Sequence, residues 1–582
     1  MVSTLFQNIK IVWKQIGSKR RLQVKFLCAL IILVSFAEVL SIGAVFPFFG
    51  ALMEPRKVYD NAALQPMVRF LNLTAPNQII LPVTILFCLA VLIAGGMRVL
   101  STWLSVRLSF SLGSDLSNDI YRRTLHQPYA IHVARNSSDI INGIWVKVSE
   151  VIFYILMPLL LFIGNAFLVV TLIITLWLVT PNIALEAIAG LVVVYGIIMK
   201  LSRQKLKTNS EDIARESTNI IKNLQEGLSG IRDVLLDGSQ KSFSDAYKKT
   251  NHTLRSAQGD NQIINQVPNF ILMAFGMILI AILAYTLTHS GGFAKAMPSL
   301  VALTLGLQKI LPCTQQLFSS WSLIMGSQAS LADVITLLEQ PYPENIDKSN
   351  ESLIPFTKEI TLENVSFKYT QQSPVILNDI SLKIRKGMRV GFIGTTGGGK
   401  STLLDIVMGL LEPTAGFLKV DGIVVTKANC RSWQLHIAHV PQSVFLADTS
   451  IERNIAFGIP NDLIDFERVK RAAQQAQIAD IIETWSEKYQ TRVGERGVQL
   501  SGGQCQRIGI ARALYKEADL IILDEATSAL DNETEKEILA SIEALSKDIT
   551  IIMIAHRLNT LNFCNEIIEL GKGGIVNRRI IQ

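Results

Sequence analysis

A glycine-rich stretch in the second half of the chain, GFIGTTGGGKST at 391–402, has the residue types and spacing that bind phosphate. It matches G-x-x-x-x-G-K-[ST], and it follows an apolar run typical of a strand and precedes a helical run. Glycines let backbone N–H groups turn inward around an anion, and the helix presents its positive end to the same anion. The stretch therefore predicts ATP binding. The residues predicted to contact the nucleotide are Gly394, Thr395, Thr396, Gly397, Gly398, Gly399, Lys400, Ser401 and Thr402.

Acidic residues at the end of a second apolar run complete the predicted chemistry. In LIILDEATSALD at 520–531 the aliphatic run ends in Asp524, and Glu525 follows it. We expect Lys400 to reach the β- and γ-phosphates, and Ser401 and Asp524 to hold Mg²⁺. Glu525 is then the general base that polarises the attacking water.

The bulk composition indicates a membrane protein with more than one domain. At 582 residues the chain is too long for one ordinary domain. Apolar residues make up 49% and charged residues 18%, whereas soluble domains carry about 25% charged residues. The net charge of +7 fits basic segments beside a membrane better than a nucleic-acid groove. We therefore expect no nucleic-acid partner.

The cysteines show no pair at metal-ligand spacing, so we predict free thiols. They are Cys28, Cys88, Cys313, Cys430, Cys505 and Cys564. No cleavable signal peptide is expected, because the first apolar run follows a basic stretch and is too long for one.

Six apolar runs are each long enough to cross a bilayer as a helix, which takes about 17–25 residues. They cover residues 26–52, 79–106, 152–178, 183–200, 265–289 and 299–325. Pro181, between the third and fourth runs, is expected to stop one helix and start the next. Lys and Arg cluster before the first run, between the second and third, and after the fourth. By the positive-inside rule both termini lie in the cytosol, and the expected location is the inner (cytoplasmic) membrane.

Two connections between the spans, 107–150 and 201–264, are longer than a turn needs and keep a helical period. We interpret them as span helices that continue into the cytosol, and a pair of soluble insertions is the alternative. The membrane domain is then predicted over 1–338 and a polar linker over 339–356. From 357 to 582 short β-rich runs alternate with helical ones, which favours an α/β domain with a mostly parallel sheet.

LSGGQCQR at 500–507 stands between the two nucleotide motifs and resembles the signature of the ATP-binding-cassette (ABC) ATPases, a resemblance that extends over 357–582. In that family the signature of one domain completes the ATP site on the phosphate loop of a second domain. The resemblance therefore implies a dimer. Because every motif here looks intact, it favours a homodimer with twelve spans over a heterodimer. The signature residues implied to contact the nucleotide are Ser501, Gly502, Gly503 and Gln504.

Four further positions match functional residues of the same family. Tyr369 corresponds to the aromatic residue that stacks on adenine, and Gln442 to the glutamine that contacts Mg²⁺ and the membrane domain. Asp531 corresponds to the residue that communicates across the dimer, and His556 to the histidine that reads the γ-phosphate. VGERG at 493–497 looks like the segment that exporters use to touch the membrane helices.

Six spans, cytosolic extensions and a C-terminal ATPase together resemble an exporter-type half-transporter. The implied fold class is a membrane α-helical domain of the ABC exporter type, fused to an α/β P-loop nucleotide-binding domain. Short transverse helices near 130–142 and 222–234 are implied to meet the nucleotide-binding domain. Closure on ATP would then turn the membrane cavity outward, and hydrolysis at Glu525 would reset it.

Ionisable residues inside the spans are candidates for substrate binding, because charge within a bilayer is costly. Arg98 and Lys309 could offer positive charge to a phosphate-bearing head group. Alternatively Glu38 pairs with one of them, or each extends to an interface. The outer segment 61–73 has apolar residues at helical spacing, so it predicts either an amphipathic helix against lipid or a capped surface loop.

The first span, the outer segment and LQKILPCTQQLFSSW in the sixth span resemble bacterial flippases of lipid-linked oligosaccharides more than lipid A flippases or drug exporters. This resemblance implies a polyprenyl-pyrophosphate glycan as the cargo, moved from the cytoplasmic to the outer leaflet. A general lipid, peptide or drug exporter is the main alternative, and a nucleotide-gated channel or a regulatory subunit is another. An importer is disfavoured because its membrane and ATPase parts are normally separate chains, and the spans exclude a soluble chromosome-repair ATPase.

Overall fold

The computed structural model divides into two compact units. The first comprises Met1–Gln127 and Arg135–Tyr342, and the second comprises Pro128–Ala134 and Pro343–Gln582. The structure describes residues 2–61, 64–179, 181–291, 293–342, 354–494, 497–527, 530–555 and 561–581. It describes the backbone alone over 181–188, 286–291 and 293–307. Most of the predicted linker, 339–356, lies outside the described residues.

The first unit is built from helices. Their bounds are α1 Val2–Gln15, α2 Ser18–Gly43, α3 Val45–Met53, α4 Pro55–Tyr59, α5 Gln65–Phe70, α6 Ile80–Leu125, α8 Ser137–Ile141, α9 Val148–Val151, α10 Met157–Val179, α11 Pro181–Ser229, α12 Ile231–Leu236, α13 Gln240–Gly291, α14 Phe293–Met325 and α15 Gln328–Leu338. Two π-helical turns, Asn142–Lys147 and Ile152–Leu156, flank α9. The short helix α7, Tyr129–Ala134, belongs to the second unit.

Three of these helices are much longer than a bilayer is thick. α6, α11 and α13 have 46, 49 and 52 residues. At 1.5 Å per residue they are about 70–80 Å long, against about 30 Å for the hydrocarbon core of a bilayer. The predicted continuation of the span helices is confirmed, and the alternative of separate insertions is wrong. α13 carries Pro268 in its interior.

Within the described residues, three helical stretches are long and apolar enough to cross a membrane. They are Ser18–Ser41, Pro76–Leu125 and Ser137–Ile174. A fourth exists if Gln308–Met325 and Gln328–Leu338, which are bent by 55°, form one span. The other predicted spans include residues whose side chains lie outside the description, so the count of six stays a prediction. Those spans are 183–200, 265–289 and 299–325.

The first predicted span, 26–52, is not one continuous helix. α2 ends at Gly43 and α3 begins at Val45. Pro47 has no backbone N–H, and its ring crowds the carbonyl four residues earlier, which is that of Gly43. Pro47 therefore accounts for the break between α2 and α3.

The short transverse helices have different bounds from those predicted. The segment 130–142 contains two helices, α7 and α8, because the Asn136 side chain accepts a hydrogen bond from the Ser138 N–H and starts a new helix. Over 222–234 the long helix α11 gives way to α12 only at Gly230, a poor helix former. Each predicted single helix therefore includes a break.

In the outer segment 61–73, apart from residues 62 and 63, which lie outside the description, the structure shows one helix, the six-residue α5. Val68 on this helix is buried and packs with Ile79 and Val83, whereas Phe70 is 84% exposed. On the predicted apolar face Val68 is therefore covered by protein, Leu64 and Met67 are half-buried, and Leu71 is 44% exposed.

The second unit contains the predicted α/β domain, with two sheets. A four-stranded antiparallel sheet has the order β2-β1-β4-β5, and a six-stranded sheet has the order β10-β9-β3-β8-β7-β6. Five strands of the larger sheet run parallel, and β10 is antiparallel to β9. The mostly parallel sheet is confirmed, and the antiparallel sheet is an addition. The strands are β1 Glu359–Phe367, β2 Leu377–Arg385, β3 Arg389–Gly394, β4 Ala415–Val420, β5 Ile423–Val424, β6 Ile437–Val440, β7 Leu520–Asp524, β8 Thr550–Ile554, β9 Glu566–Gly571 and β10 Gly574–Ile580.

Besides α7, the helices of this unit are α16 Lys400–Val407, α17 Cys430–Gln434, α18 Ile451–Ile455, α19 Phe466–Gln475, α20 Ala479–Thr484, α21 Gly502–Tyr515 and α22 Asn532–Glu543. Apolar clusters lie on both faces of the parallel sheet, one formed with α18 to α22 and the other with α16, α17 and the antiparallel sheet, so its central strands are mostly apolar. β8 is buried at every position, and β7 at every position but its last, Asp524. The six cysteines, which all lie within the described residues, form no disulfide bond.

Candidate functional site

The phosphate loop joins β3, whose last residue is Gly394, to α16, which begins at Lys400. Gly394 has a φ of +142°, and a Cβ there would lie 2.0 Å from the carbonyl oxygen of Leu570. Gly399 has a φ of +90°, and its Cβ would lie 2.7 Å from the side chain of Leu377. Both positions therefore require glycine, which explains two of the residues that the sequence singled out.

Lys400 is buried, and its ammonium group donates to the carbonyl oxygens of Gly394 at 2.8 Å and Thr395 at 3.0 Å. The positive charge thus lies against the loop. It is next to the N-terminus of α16, where the helix dipole adds positive potential. This end of the parallel sheet therefore favours an anion.

Oxygen-bearing side chains meet where β7 ends. The Ser401 hydroxyl is hydrogen-bonded to Asp524, and burial together with the charge of Glu525 raises the pKa of Asp524. Burial and the charge of Asp524 likewise raise the pKa of Asp405 to about 6. Burial is the larger cause of both shifts, the neighbouring carboxylate adds to it, and the charge of Lys400 lowers the pKa of Asp524. Hydroxyl and carboxylate oxygens are ligands that Mg²⁺ prefers, so this group of side chains suits the ion.

Asp405 was not among the residues that the sequence singled out. Its signal is the spacing from Ser401, because residues four apart on a helix share one face. A search of the first turns of α16 for a second oxygen donor would have found it.

Glu525 and Gln442 are 83 residues apart in the chain, and the structure brings them together. The Gln442 amide donates to Glu525 Oε2 at 2.6 Å. Glu525 has a φ of +50°, which is uncommon for a residue other than glycine. Such a conformation costs about 1–3 kcal/mol. Eight other non-glycine residues of the described chain also have a positive φ, so the conformation by itself does not mark a site.

Tyr369 lies beside the phosphate loop. Its hydroxyl is 3.4 Å from Thr402 Oγ1, and its ring packs edge-on against Phe367. The residue is 46% exposed, so its ring can accept a planar group. Burial, and then the charges of Asp405 and Tyr369, raise the pKa of Tyr129 on α7.

Ser501 and Asp531 each cap the start of a helix. Ser501 Oγ accepts from the Gln504 N–H at 3.2 Å, and Gln504 Oε1 accepts from the Ser501 N–H at 2.8 Å. This reciprocal pair is a capping box, and the two glycines of the signature form the first turn of α21. The Asp531 carboxylate accepts from the N–H and the hydroxyl of Thr534, at 3.0 and 2.9 Å.

Other predicted site residues cannot be placed in this way. His556 lies outside the described residues, and so do Glu495 and Arg496 of the VGERG segment. The roles assigned to them remain predictions.

In the first unit, Glu38, Arg98 and Lys309 meet, and we call them the charged triad. Arg98 Nη1 lies 3.4 Å from Glu38 Oε1, and Lys309 Nζ lies 3.0 Å from Glu38 Oε2. The Glu38 side chain is 4% exposed, whereas those of Arg98 and Lys309 are 44% and 46% exposed. Glu38 thus pairs with both cations rather than with one. The triad has a net formal charge of +1.

Comparison with known proteins gives a consistent assignment. The family model for the ABC transporter transmembrane region matches residues 26–303, and the ABC transporter model matches residues 377–528. The ATP-dependent lipid A-core flippase of Albidiferax ferrireducens is 30% identical over 480 residues, which cover 82% of this chain and 81% of the relative. The flippase of the same name from Cupriavidus metallidurans is 28% identical over 503 residues, which cover 84% of this chain and 82% of the relative.

A solved structure shows the same fold over nearly the whole length. The ATP-bound structure of a bacterial Atm1-family ABC exporter aligns with a TM-score of 0.77 and 23% identity, covering 97% of this chain and 96% of that one. With the membrane helices, the two-sheet nucleotide-binding unit and both family matches established, the chain belongs to the ABC transporters, as an exporter-type half-transporter with an ATP-hydrolysing domain.

Proposed function

We propose that this chain is an ATP-driven flippase that moves an acidic, glycan-bearing lipid from the cytoplasmic to the outer leaflet of the inner membrane. The cargo we favour is a lipid-linked oligosaccharide, a polyprenyl-pyrophosphate glycan, or a similar amphipathic lipid. The observation that carries this proposal is the charged triad, whose net positive charge suits a phosphate group. The relatives named lipid A-core flippases support a lipid as cargo. The Lys/Arg distribution supports cytosolic termini.

The exposure of the triad supports binding of an anion. Glu38 is buried, while Arg98 and Lys309 are nearly half-exposed. A ligand in the membrane cavity therefore meets the cations first. Guanidinium carries five N–H donors and ammonium three, so both groups keep donors free after binding one carboxylate. Pairing with Glu38 orients these donors in advance of binding.

The phosphate loop and its neighbours support the ATPase roles. Lys400 and the loop N–H groups would bind the phosphates, and Tyr369 would stack on adenine. Ser401, Gln442 and Asp524 would hold Mg²⁺, which supplies charge neutralisation on the phosphates when bound.

Glu525 would accept the proton of the attacking water, as the general base. The 2.6 Å hydrogen bond from Gln442 holds its carboxylate in one orientation. A carboxylate placed in this way can act without first losing side-chain freedom.

A homodimer would supply the second half of each ATP site, which one chain lacks. Ser501 to Gln504 of one copy would contact the ATP bound to the loop of the other, and Asp531 would connect the two halves. The capping box supports this role because it holds Ser501 at the positive end of α21. His556 would read the γ-phosphate.

Transport by the purified full-length protein in liposomes tests the proposal. We would compare wild type with Glu525→Gln and with the double variant Arg98→Gln, Lys309→Gln, using a radiolabelled polyprenyl-pyrophosphate oligosaccharide. Arg107→Gln, an exposed cation on α6, is the matched control. We expect ATP-dependent movement with wild type and Arg107→Gln, none with Glu525→Gln, and movement slower by about tenfold or more with the double variant.

Two results would contradict the proposal. Unchanged transport by the double variant would remove the triad from cargo binding. ATP hydrolysis without any glycan movement would leave an exporter of another lipid, a peptide or a drug, and stimulation of ATPase activity by candidate compounds would then identify the class.

A further inference from the structure

A cavity of about 350 Å³ lies between α10, α11 and α14 in the membrane domain. Its wall includes Val169, Val192, Met199 and Ile310. Val192 in the wall is 65% exposed, so the cavity is open on one side and a ligand can enter it.

The wall of this cavity disfavours water. Among the lining residues only Tyr195 and Thr314 carry hydroxyl groups. The Thr314 hydroxyl donates to the Ile310 carbonyl at 3.1 Å, and the buried Tyr195 hydroxyl, for which the structure shows no hydrogen bond among the described residues, offers a water molecule one partner at most. A buried water molecule needs two to four polar partners. Hydrocarbon needs none, and its transfer out of water is favourable.

α14 connects the cavity to the charged triad. Lys309 belongs to the triad, and the next residue, Ile310, lines the cavity. Arg98 of the triad is hydrogen-bonded to the Cys313 thiol. Cys313 in turn packs in the same buried cluster as Val169 and Ile310. The charged triad and the apolar cavity are therefore linked through Cys313.

We propose that the cavity binds one hydrocarbon tail of the acidic lipid whose head group binds at the charged triad. This inference rests on the proposed acidic lipid cargo, though not on the identity of its glycan. A volume of about 350 Å³ is near the lower limit of ligand pockets, which is about 300 Å³. The cavity therefore accommodates one segment of one chain. An amphipathic lipid is recognised at two adjoining places, its phosphate by the cations and its tail by the cavity.

Gly196 offers a way to fill the cavity without disturbing the helix. It lines the cavity, and a Cβ at this position would meet nothing within 4 Å. Gly196→Leu therefore places a side chain into the space that the tail would occupy, and Gly196→Ala fills less of it. Gly96→Leu on α6 is the matched control, because a Cβ there also meets nothing within 4 Å and the residue is not part of the wall.

Photo-crosslinking of the full chain in lipid nanodiscs, without ATP, tests the inference. The probes are dodecyl phosphate and dodecanol, each with a diazirine at the end of the chain. We expect dodecyl phosphate to label peptides containing residues 192–199 and 310–314, about tenfold more than dodecanol does. Gly196→Leu should abolish this labelling, Gly196→Ala should reduce it partly, and Gly96→Leu should leave it unchanged. Arg98→Gln should lower labelling by dodecyl phosphate to the level of dodecanol.

Three results would overturn the inference: equal labelling by the two probes, labelling elsewhere in the chain, or labelling that Gly196→Leu does not reduce. The binding assay does not involve glycan or ATP, so it is separate from the transport assay. Labelling as expected with no glycan transport would point to another acidic lipid and leave the tail site intact. Glycan transport with labelling insensitive to Gly196→Leu would contradict the tail site alone.

Discussion

Glu38 and Lys309 are 271 residues apart in the chain, yet Lys309 Nζ lies 3.0 Å from Glu38 Oε2 in the membrane domain. Arg98 shares the same carboxylate. One buried anion therefore joins three helices, α2, α6 and α14. Its removal would leave two cations without their common partner.

Glu38→Gln should lower the stability of the membrane domain. The variant keeps the shape of the side chain but loses the charge that two cations share. Breaking a buried pair costs about 3–5 kcal/mol, and because these cations are partly exposed we expect about 1–3 kcal/mol. Thermal unfolding of the variant and the wild type in nanodiscs measures this loss of stability. Glu54→Gln, whose partner Lys57 is exposed, is the control and should show no shift. An unchanged melting temperature for Glu38→Gln would mean that the pairs add nothing to stability.

Gly394→Ala should abolish ATP binding. Its Cβ would lie 2.0 Å from the Leu570 carbonyl oxygen, so the loop has to move. Binding of a fluorescent ATP analogue measures the effect. Gly422→Ala has a similar strained conformation, with a φ of +85°, but meets no atom within 4 Å, and it should retain binding. Equal loss of binding in both variants would attribute the effect to general destabilisation.

Glu525→Gln should hydrolyse ATP about 10²–10⁴-fold more slowly than wild type, the range for loss of a general base. ATP binding should persist, because Glu525 is not expected to contact the adenine or the loop. Phosphate release and trapped nucleotide, measured on the same sample, separate the two steps. Glu543→Gln, an exposed glutamate at the end of α22, should behave as wild type. Residual hydrolysis near the wild-type rate would assign the base to another residue.

Asp421→Asn should destabilise the nucleotide-binding unit in a pH-dependent way. Burial alone would raise the pKa of Asp421, but hydrogen bonds from the Thr357 hydroxyl and from the N–H groups of 357–359 lower it below 3.8. The folded state therefore favours the carboxylate, and its contribution to stability is present above pH 3.8 and lost as the pH falls through the folded pKa.

Thermal unfolding of both proteins between pH 7 and pH 3 measures this difference. The gap between wild type and Asp421→Asn should be largest near pH 7 and should close toward pH 3. Asp462→Asn, an exposed aspartate, is the control and should show no gap. A gap that stays constant with pH would assign the effect to shape rather than charge.

Local chemistry was predictable from sequence, and long-range pairing was not. The loop conformation around Gly394 and Lys400 was predictable because it involves a few consecutive residues, and their roles in binding phosphate stay predictions. The choice of Glu38 between two cations depends on how three helices pack, and no local pattern encodes that. Asp405 has a local signal, its spacing of four residues from Ser401, but its proximity to Asp524 depends on a strand more than a hundred residues away. The interruption at Ala44 was missed although Pro47 signals it, because the apolar run continues through the break.

The interior proline of α13 has a mechanical consequence. Pro268 has no N–H to bond to the carbonyl of Ile264, so the helix is weakest in bending at this point. The part of α13 before Pro268 has 28 residues and is about 42 Å long, so a bend of about 10° at the proline moves its far end by about 7 Å. Bending at Pro268 moves the polar part of α13, residues 240–267, relative to the apolar part that follows the proline. The two parts of the helix on either side of Pro268 stay straight, so the bending is confined to this position.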